Sequence, residues 1–447
     1  MRRLFIATVA ILAGWGGSLP AAITVTTDFE GGSAIIEAVD TVKREVQIRP
    51  GGNPDRGWPC WWYLRIDGLL AGEDATVKVR GSQRHARNNA ADTGKPLASS
   101  WSLPDRAAAS TDGVTWHQTD PGDRVDDSVS YQFTGGGGPL WVAWGPPFTS
   151  SHSTELLDRA VTLEPDHART FDLALSREQR PVRGLRITAE PGGQLPAVWV
   201  QARQHAWESG SSWVAAGFVD WLLGQEPEAR WLRANGDLFV IPIMDIDRVA
   251  TGDGGKESSP HDHNRDWSNA PHYPEIAATQ QQLRSLTREG RLSLVLDLHN
   301  PGPGDQQPFF FLPPVELLSD RGRALRDRFV MFAARRLDRP LTLAATPRVT
   351  GSSYHPLWRQ ISTVWIAEHT NGDTVAACLE TAWNTPHSTT AGYRGVGAKL
   401  GRAVADYIRF LKAPQALSTE PAGGALPQVT PTSESPKREP GSEPKRS

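Results

Sequence analysis

Between residue 23 and about residue 147, apolar and polar positions alternate in short runs with a period of two, and helical periodicity is almost absent. Six runs, 34–39, 45–49, 61–66, 75–79, 129–133 and 140–144, predict short strands. Gly/Pro/Asp clusters separate them, among them Gly51-Gly52-Asn53-Pro54 and residues 135–139. Pro and Gly supply turn conformations and interrupt ladders. Short strands at this spacing predict an antiparallel β-sandwich. Residues 151–159 read as a linking helix behind a Ser/Thr N-cap. From Gly184 the rhythm becomes strand then helix: strands at 197–201, 238–244 and 292–298, helices at 211–223, 274–288 and 317–337. That alternation predicts an α/β domain whose mixed, largely parallel sheet is flanked by helices. Residues 363–370 and 373–381 surround Asn371-Gly372, the sequence of a type I′ hairpin. An amphipathic helix at 395–411 closes the domain.

The two ends differ from the rest. Arg2-Arg3, a short apolar stretch at 4–12 and Pro20-Ala21-Ala22 read as an export signal, too short to span a bilayer. After Ala413 the chain turns to Pro, Ser, Glu and Lys without apolar periodicity, the composition of a disordered tail. The expected organisation is a signal peptide over 1–22, a β-sandwich domain over 23–150, a catalytic α/β domain over 151–412 and a tail over 413–447. The signal implies a periplasmic or extracellular protein with no stable membrane insertion after cleavage. A net charge of −3 argues against nucleic acid as a partner and is silent on small ligands. Trp61, Trp62, Trp141 and Trp144 alternate with β-type residues, as aromatic sheet cores require. Cys60 and Cys378 fall in different predicted domains, which favours two buried free thiols over a disulfide.

The candidate chemistry lies after the predicted strands. His205 and Glu208, three apart at a helix start, face one side and can share a metal. His299 ends the wholly apolar strand 292–298. Ligand sites in open α/β sheets lie beyond the carboxyl ends of strands, and both histidines fall there. Between them runs His263-Asn264-Arg265-Asp266-Trp267. An Arg fork there can grip a carboxylate through two parallel bonds; the alternative is a surface salt bridge with Asp266. Glu380, at the end of an apolar strand before T-A-W, is the candidate general base. Glu368 competes with it, but the hairpin register puts Glu368 on the opposite face. His261 and His263 lack an obvious third ligand and read as structural.

An H-x-x-E after a strand, a distant His after another, an intervening N-R and a late Glu together resemble the M14 zinc carboxypeptidases. The tracts W-W-Y-L-R-I-D-G and G-P-L-W-V-A-W-G-P-P-F-T-S-S are similar to the N-terminal domain of the cytosolic carboxypeptidase subfamily. The resemblance implies one Zn²⁺ per chain, held by His205, Glu208 and His299 with a fourth position left for water. It implies that Glu380 takes that water's proton, and that Arg265 with Asn264 binds the C-terminal carboxylate of a peptide or protein. It also implies an Asp supporting a metal-bound His. Asp262 occupies the matching position, and Asp297, two residues before His299, is the alternative. The subfamily's oxyanion Arg falls here on Gly255; Lys256 follows and is the candidate to deliver the charge. Tyr354 is the nearest counterpart of the family's phenolic Tyr. The expected function is zinc metallocarboxypeptidase. Two alternatives stay open: a zinc amidohydrolase (an N-acyl amino acid deacylase or a cell-wall peptide amidase), and a non-catalytic zinc-retaining binding protein, which Gly255 favours.

Overall fold

A computed structural model describes residues 22–88 and 91–413. The expected signal peptide and tail therefore lie outside the described residues, except for Ala22 and Ala413. Two five-stranded sheets form the N-terminal part. One is ordered Thr24–Thr26, Tyr63–Asp67, Leu140–Ala143, Ala108–Ser110, His117–Gln118. The other is ordered Asp123–Val125, Ser128–Thr134, Asp74–Arg80, Glu45–Arg49, Ile35–Asp40. Ala75, Val77 and Val79 are buried while their alternate neighbours are not, so period-two patterning is what closes the sandwich. One pair departs from the antiparallel expectation: Glu45–Arg49 runs parallel to Asp74–Arg80. The intervening strand, Tyr63–Asp67, belongs to the other sheet, so the chain crosses over and returns in the same direction.

The second part is built on an eight-stranded mixed sheet. Its strands are β1 (Ala168–Leu175), β2 (Pro181–Thr188), β3 (Ala197–Ala202), β4 (Asp237–Ile241), β5 (Leu292–His299), β6 (Phe309–Leu312), β7 (Arg348–Val349) and β8 (Val375–Glu380). Their order is β1-β2-β4-β3-β5-β8-β6-β7. The central four, β4-β3-β5-β8, are parallel, and antiparallel pairs lie to either side. Every residue of β3 and β4 is buried, as the unbroken apolar runs require of strands covered on both faces. The helices are α1 (Ser150–Leu163), α2 (Ser209–Leu222), α3 (Pro227–Asn235), α4 (Ile246–Thr251), α5 (Pro274–Arg288), α6 (Asp320–Arg336), α7 (Ser362–His369) and α8 (Thr390–Lys412). Helices α2 and α8 touch backbone to backbone. A Cβ on Gly397 would lie 2.0 Å from the Val214 carbonyl, and one on Gly217 would lie 2.2 Å from that of Arg394. Among the described residues, no helix is long and apolar enough to cross a membrane.

The hairpin expected around Asn371-Gly372 is not formed. Residues 362–369 are α7, with Ser362 to Ala367 all buried. A short run apolar on every side carries no periodicity that separates a buried helix from a buried strand. Strand β8 instead enters the sheet between β5 and β6. Glu380 therefore aligns with His299 rather than with Thr363.

The two parts meet through tryptophan. Trp207, beside Glu208, and Trp383, three residues after Glu380, are buried in the sandwich's own core. The Trp144 ring centre lies 4.3 Å from that of Trp383 and 5.3 Å from that of Trp207, and Trp101 lies 5.7 Å from Trp207. Aromatic pairs at such distances add to their burial energy. Trp144→Ala is expected to destabilise the protein by ~3–5 kcal/mol, read as a lowered denaturant midpoint. A loss below about 1 kcal/mol would contradict this view of the junction.

Candidate active site

The site grows out of the carboxyl ends of β3, β5 and β8. After β3 the chain turns sharply, with Arg203 at φ +67°. Arg203 is buried and donates to the carbonyls of Ala206 (2.6 Å) and Phe148 (3.3 Å) and to Ser212 Oγ (3.3 Å). Those bonds hold the turn that presents His205. His205 and Glu208 sit in this turn, with Glu208 at the N-cap of α2, so they precede the helix rather than share its face.

On β5, His299 aligns with Glu380 of β8, and Asp297 aligns with Cys378. Residues two apart on a strand share a face, so His299 and Asp297 lie together beside Glu380 and Cys378. The ligating atoms of His205, Glu208 and His299 fall within 4.8 Å of one another, the only such group among the described residues. His205 Nδ1 is 2.7 Å from Glu208 Oε1, and His299 Nδ1 is 2.7 Å from Glu208 Oε2.

The donor set fits a zinc ion. Two imidazoles and one carboxylate converge in a buried place, and each imidazole turns its other nitrogen to an aspartate. His205 Nε2 is 3.1 Å from Asp262 Oδ1, and His299 Nε2 is 3.2 Å from Asp297 Oδ2. An acceptor behind Nε2 keeps the proton there and leaves the Nδ1 lone pair free for a metal. The sequence left Asp262 and Asp297 as alternatives, and the structure puts each behind a different histidine. Burial pushes the Asp262 carboxyl up, but His205 and Lys256 outweigh it and hold the group well below its usual range.

A network behind Asp297 was not visible in the sequence. Gln204 Nε2 and Ser362 Oγ both donate to Asp297 Oδ2, and Trp267 Nε1 donates to Gln204 Oε1 at 2.8 Å. The participants come from four separate segments, so no spacing rule could join them. The adjacency of Gln204 to His205 was the one available signal.

Glu380 is partly exposed as a residue, yet its Oε2 is buried with no partner, and Cys378 Sγ lies 3.8 Å from Oε1. Burial pushes its carboxyl up to about 7; His299 pulls it down and Glu208 pushes it further up. Glu368, the competing base, is on α7 and pairs with Arg359.

Arg265 is buried. Its NH1 donates to the Asn264 carbonyl at 2.8 Å, and its Nε has no partner. It does not pair with Asp266, which accepts instead from the backbone of His272 and Tyr273. Tyr354, largely exposed, lies with its ring 5.9 Å from the Arg265 guanidinium carbon. Asn264 accepts from the Ser362 N–H and has its Nδ2 3.3 Å from His299 Nε2. Gly255, at φ +79°, admits no side chain, because a Cβ would lie 2.4 Å from the Ala206 nitrogen. Lys256 Nζ lies 4.0 Å from Asp262 and over the Trp58 ring of the sandwich. His263 is sandwiched between Glu275 (2.6 Å) and Asp245 (3.6 Å), and His261 stacks on His272. Cys60 and Cys378 are free and buried.

With this geometry, the comparisons with known proteins agree. Residues 153–283 match the family model described as zinc carboxypeptidase, Peptidase M14. Cytosolic carboxypeptidase 4 of Homo sapiens is 30% identical over 175 residues, covering 36% of this chain and 16% of that protein. Cytosolic carboxypeptidase 6 of Mus musculus is 27% identical over 185 residues, covering 40% and 32%. The chain spans only a small part of such relatives, 10% of cytosolic carboxypeptidase 3 of Bos taurus. A metallo-carboxypeptidase from Burkholderia cenocepacia matches over 87% of this chain and 100% of its own, with a TM-score of 0.71 at 20% identity, a likeness of fold. Residues 153–283 are thus similar to the zinc carboxypeptidases of the Peptidase M14 family. The expectation of a periplasmic or extracellular protein is corrected here. The curated relatives this chain matches are named cytosolic carboxypeptidases, which speaks against the expectation of export.

The raised Glu380 pKa carries a stability consequence. Folding takes up a proton on Glu380 between pH 4.5 and about 7, so this group's contribution falls as pH rises through that window. Metal-free Glu380→Gln should therefore be more stable than the unaltered metal-free protein at pH 8, by up to about 3 kcal/mol. The gap should close towards pH 4, as read by urea unfolding across pH. A gap independent of pH would contradict the assignment.

Proposed function

We propose that this protein is a zinc-dependent metallocarboxypeptidase that removes the C-terminal residue of peptides or proteins. The observation that carries this reading is the convergence of His205, Glu208 and His299 beside a buried, unpartnered oxygen of Glu380. Those three residues would hold a zinc ion, which would supply Lewis-acid polarisation of a carbonyl and a lowered pKa for a water. Asp262 and Asp297 orient the two histidines through their Nε2 atoms. Glu380 takes a proton from water on Oε2 and passes it to the leaving amine. A carboxyl pKa near the working pH suits both directions of that transfer.

Arg265 binds the terminal carboxylate, with the Asn264 amide beside it and Tyr354 over it. Lys256 supplies positive charge for the carbonyl oxygen, the role that Gly255 has no side chain to perform. The separate buried clusters support a division near residue 150 into a sandwich over 23–150 and a catalytic domain over 151–412. A cell-wall peptide amidase would use the same metal and base but has no need of Arg265 as a carboxylate clamp, so the clamp is where those two readings part.

The test compares free and C-terminally amidated peptides on the unaltered enzyme and on Arg265→Ala. Either change alone should lower kcat/KM by roughly 10²–10³. Together they should cost little more than one, because both delete the same contact. Equal cleavage of free and amidated peptides by the unaltered enzyme would rule out a carboxypeptidase and favour the amidase.

A further inference from the structure

His355 follows Tyr354 in the loop between β7 and α7 and has no part in the scheme above. Its Nδ1 accepts a hydrogen bond from the Leu357 backbone N–H at 3.0 Å. An accepting Nδ1 in a neutral imidazole puts the ring proton on Nε2. That Nε2 is buried and has no partner. It is therefore a buried N–H donor without an acceptor, an arrangement that proteins avoid unless something else fills it. Burial, with Arg265 and Lys256 close enough to act on the ring, lowers its pKa to about 4 and keeps it neutral.

The same place holds a second donor of this kind. Arg265 is 4% exposed, and its Nε is also buried without a partner. Tyr354, the residue before His355, has its ring 5.9 Å from the Arg265 guanidinium carbon, and Arg265 lies close enough to act on the His355 ring. Lys256 adds positive charge within reach of His355. Lys256 already lies 4.0 Å from Asp262, but the Arg265 and His355 N–H donors have no acceptor, and one anionic group reaching both would satisfy them.

We propose that His355 is a further substrate-binding residue, whose Nε2–H works with Arg265 to hold one carboxylate of the substrate's C-terminal residue. This rests on the carboxypeptidase reading. The carboxylate is either the terminal one or that of an acidic side chain, and both offer the same acceptor. A neutral donor beside a charged one suits this task, because it adds a directed bond without adding repulsion to Arg265.

The test uses binding rather than turnover, so failure of the catalytic reading leaves it interpretable. Calorimetry on the zinc-loaded protein measures three probes: glutamate, alanine and glutamate α-amide, which carry both carboxylates, the terminal one alone and the side-chain one alone. His355→Phe keeps a ring and removes the donor, whereas His355→Gln keeps an N–H at similar reach. His355→Phe should weaken binding roughly tenfold, and His355→Gln should restore most of it. A loss confined to glutamate and alanine assigns His355 to the terminal carboxylate. A loss confined to glutamate and its α-amide assigns it to the side chain. The proposal is overturned if no probe binds, if His355→Phe binds all three like the unaltered protein, if all three weaken equally, or if His355→Gln is as impaired as His355→Phe.

Discussion

A carboxylate buried between two imidazoles organises the C-terminal part of this molecule. Glu208 is 3% exposed, and each of its oxygens lies 2.7 Å from a histidine Nδ1. An isolated carboxylate would not stay ionised at such depth, because desolvation costs it several kcal/mol. The two histidines outweigh that cost and hold the Glu208 carboxyl down to about 2. The surrounding architecture keeps the three groups together. Arg203 fixes the turn, Asp262 and Asp297 fix the rings, and Gln204, Ser362 and Trp267 fix Asp297.

Charge is laid out around this centre with little redundancy. Glu208, Glu380, Asp262 and Asp297 form one group, and the positive charges of Arg265 and Lys256 act against it. Glu380 is the acid least compensated, which is why its proton affinity sits near neutrality while that of Asp262 is far below. The sandwich contributes to this arrangement directly. Trp58 lies under Lys256, and Trp144 packs against the tryptophans beside Glu208 and beyond Glu380. The N-terminal sheets are thus part of the wall that fixes the site.

Much of this was legible in the sequence, for definite reasons. The strand before His205 and the one ending in His299 are continuous apolar runs, and such runs end where ligands bind in open sheets. The His205–Glu208 spacing pointed to a shared partner although the two residues lie in a turn. What stayed hidden depended on tertiary context. Helix α7 is buried on nearly every side, so its sequence could not be told from a strand, and the register expected for Glu380 gives way to alignment with His299. Strands β1 and β2 and the helices α3 and α4 were not anticipated, because short or half-exposed segments carry weak patterns. Gln204, Ser362 and His355 have no motif; what singles them out is shared or unsatisfied hydrogen bonds that exist only once the chain is folded.

X-ray absorption at the zinc edge of the zinc-loaded protein tests the central claim most directly, since it reads the metal's neighbours without reference to any substrate. The account predicts one tightly held zinc per chain, with imidazole nitrogen and carboxylate oxygen neighbours at ~2.0–2.2 Å and no sulfur. That signal should disappear in His299→Ala. A sulfur neighbour at ~2.3 Å, which would bring Cys378 into the coordination sphere, or a zinc signal unchanged in His299→Ala, would contradict it.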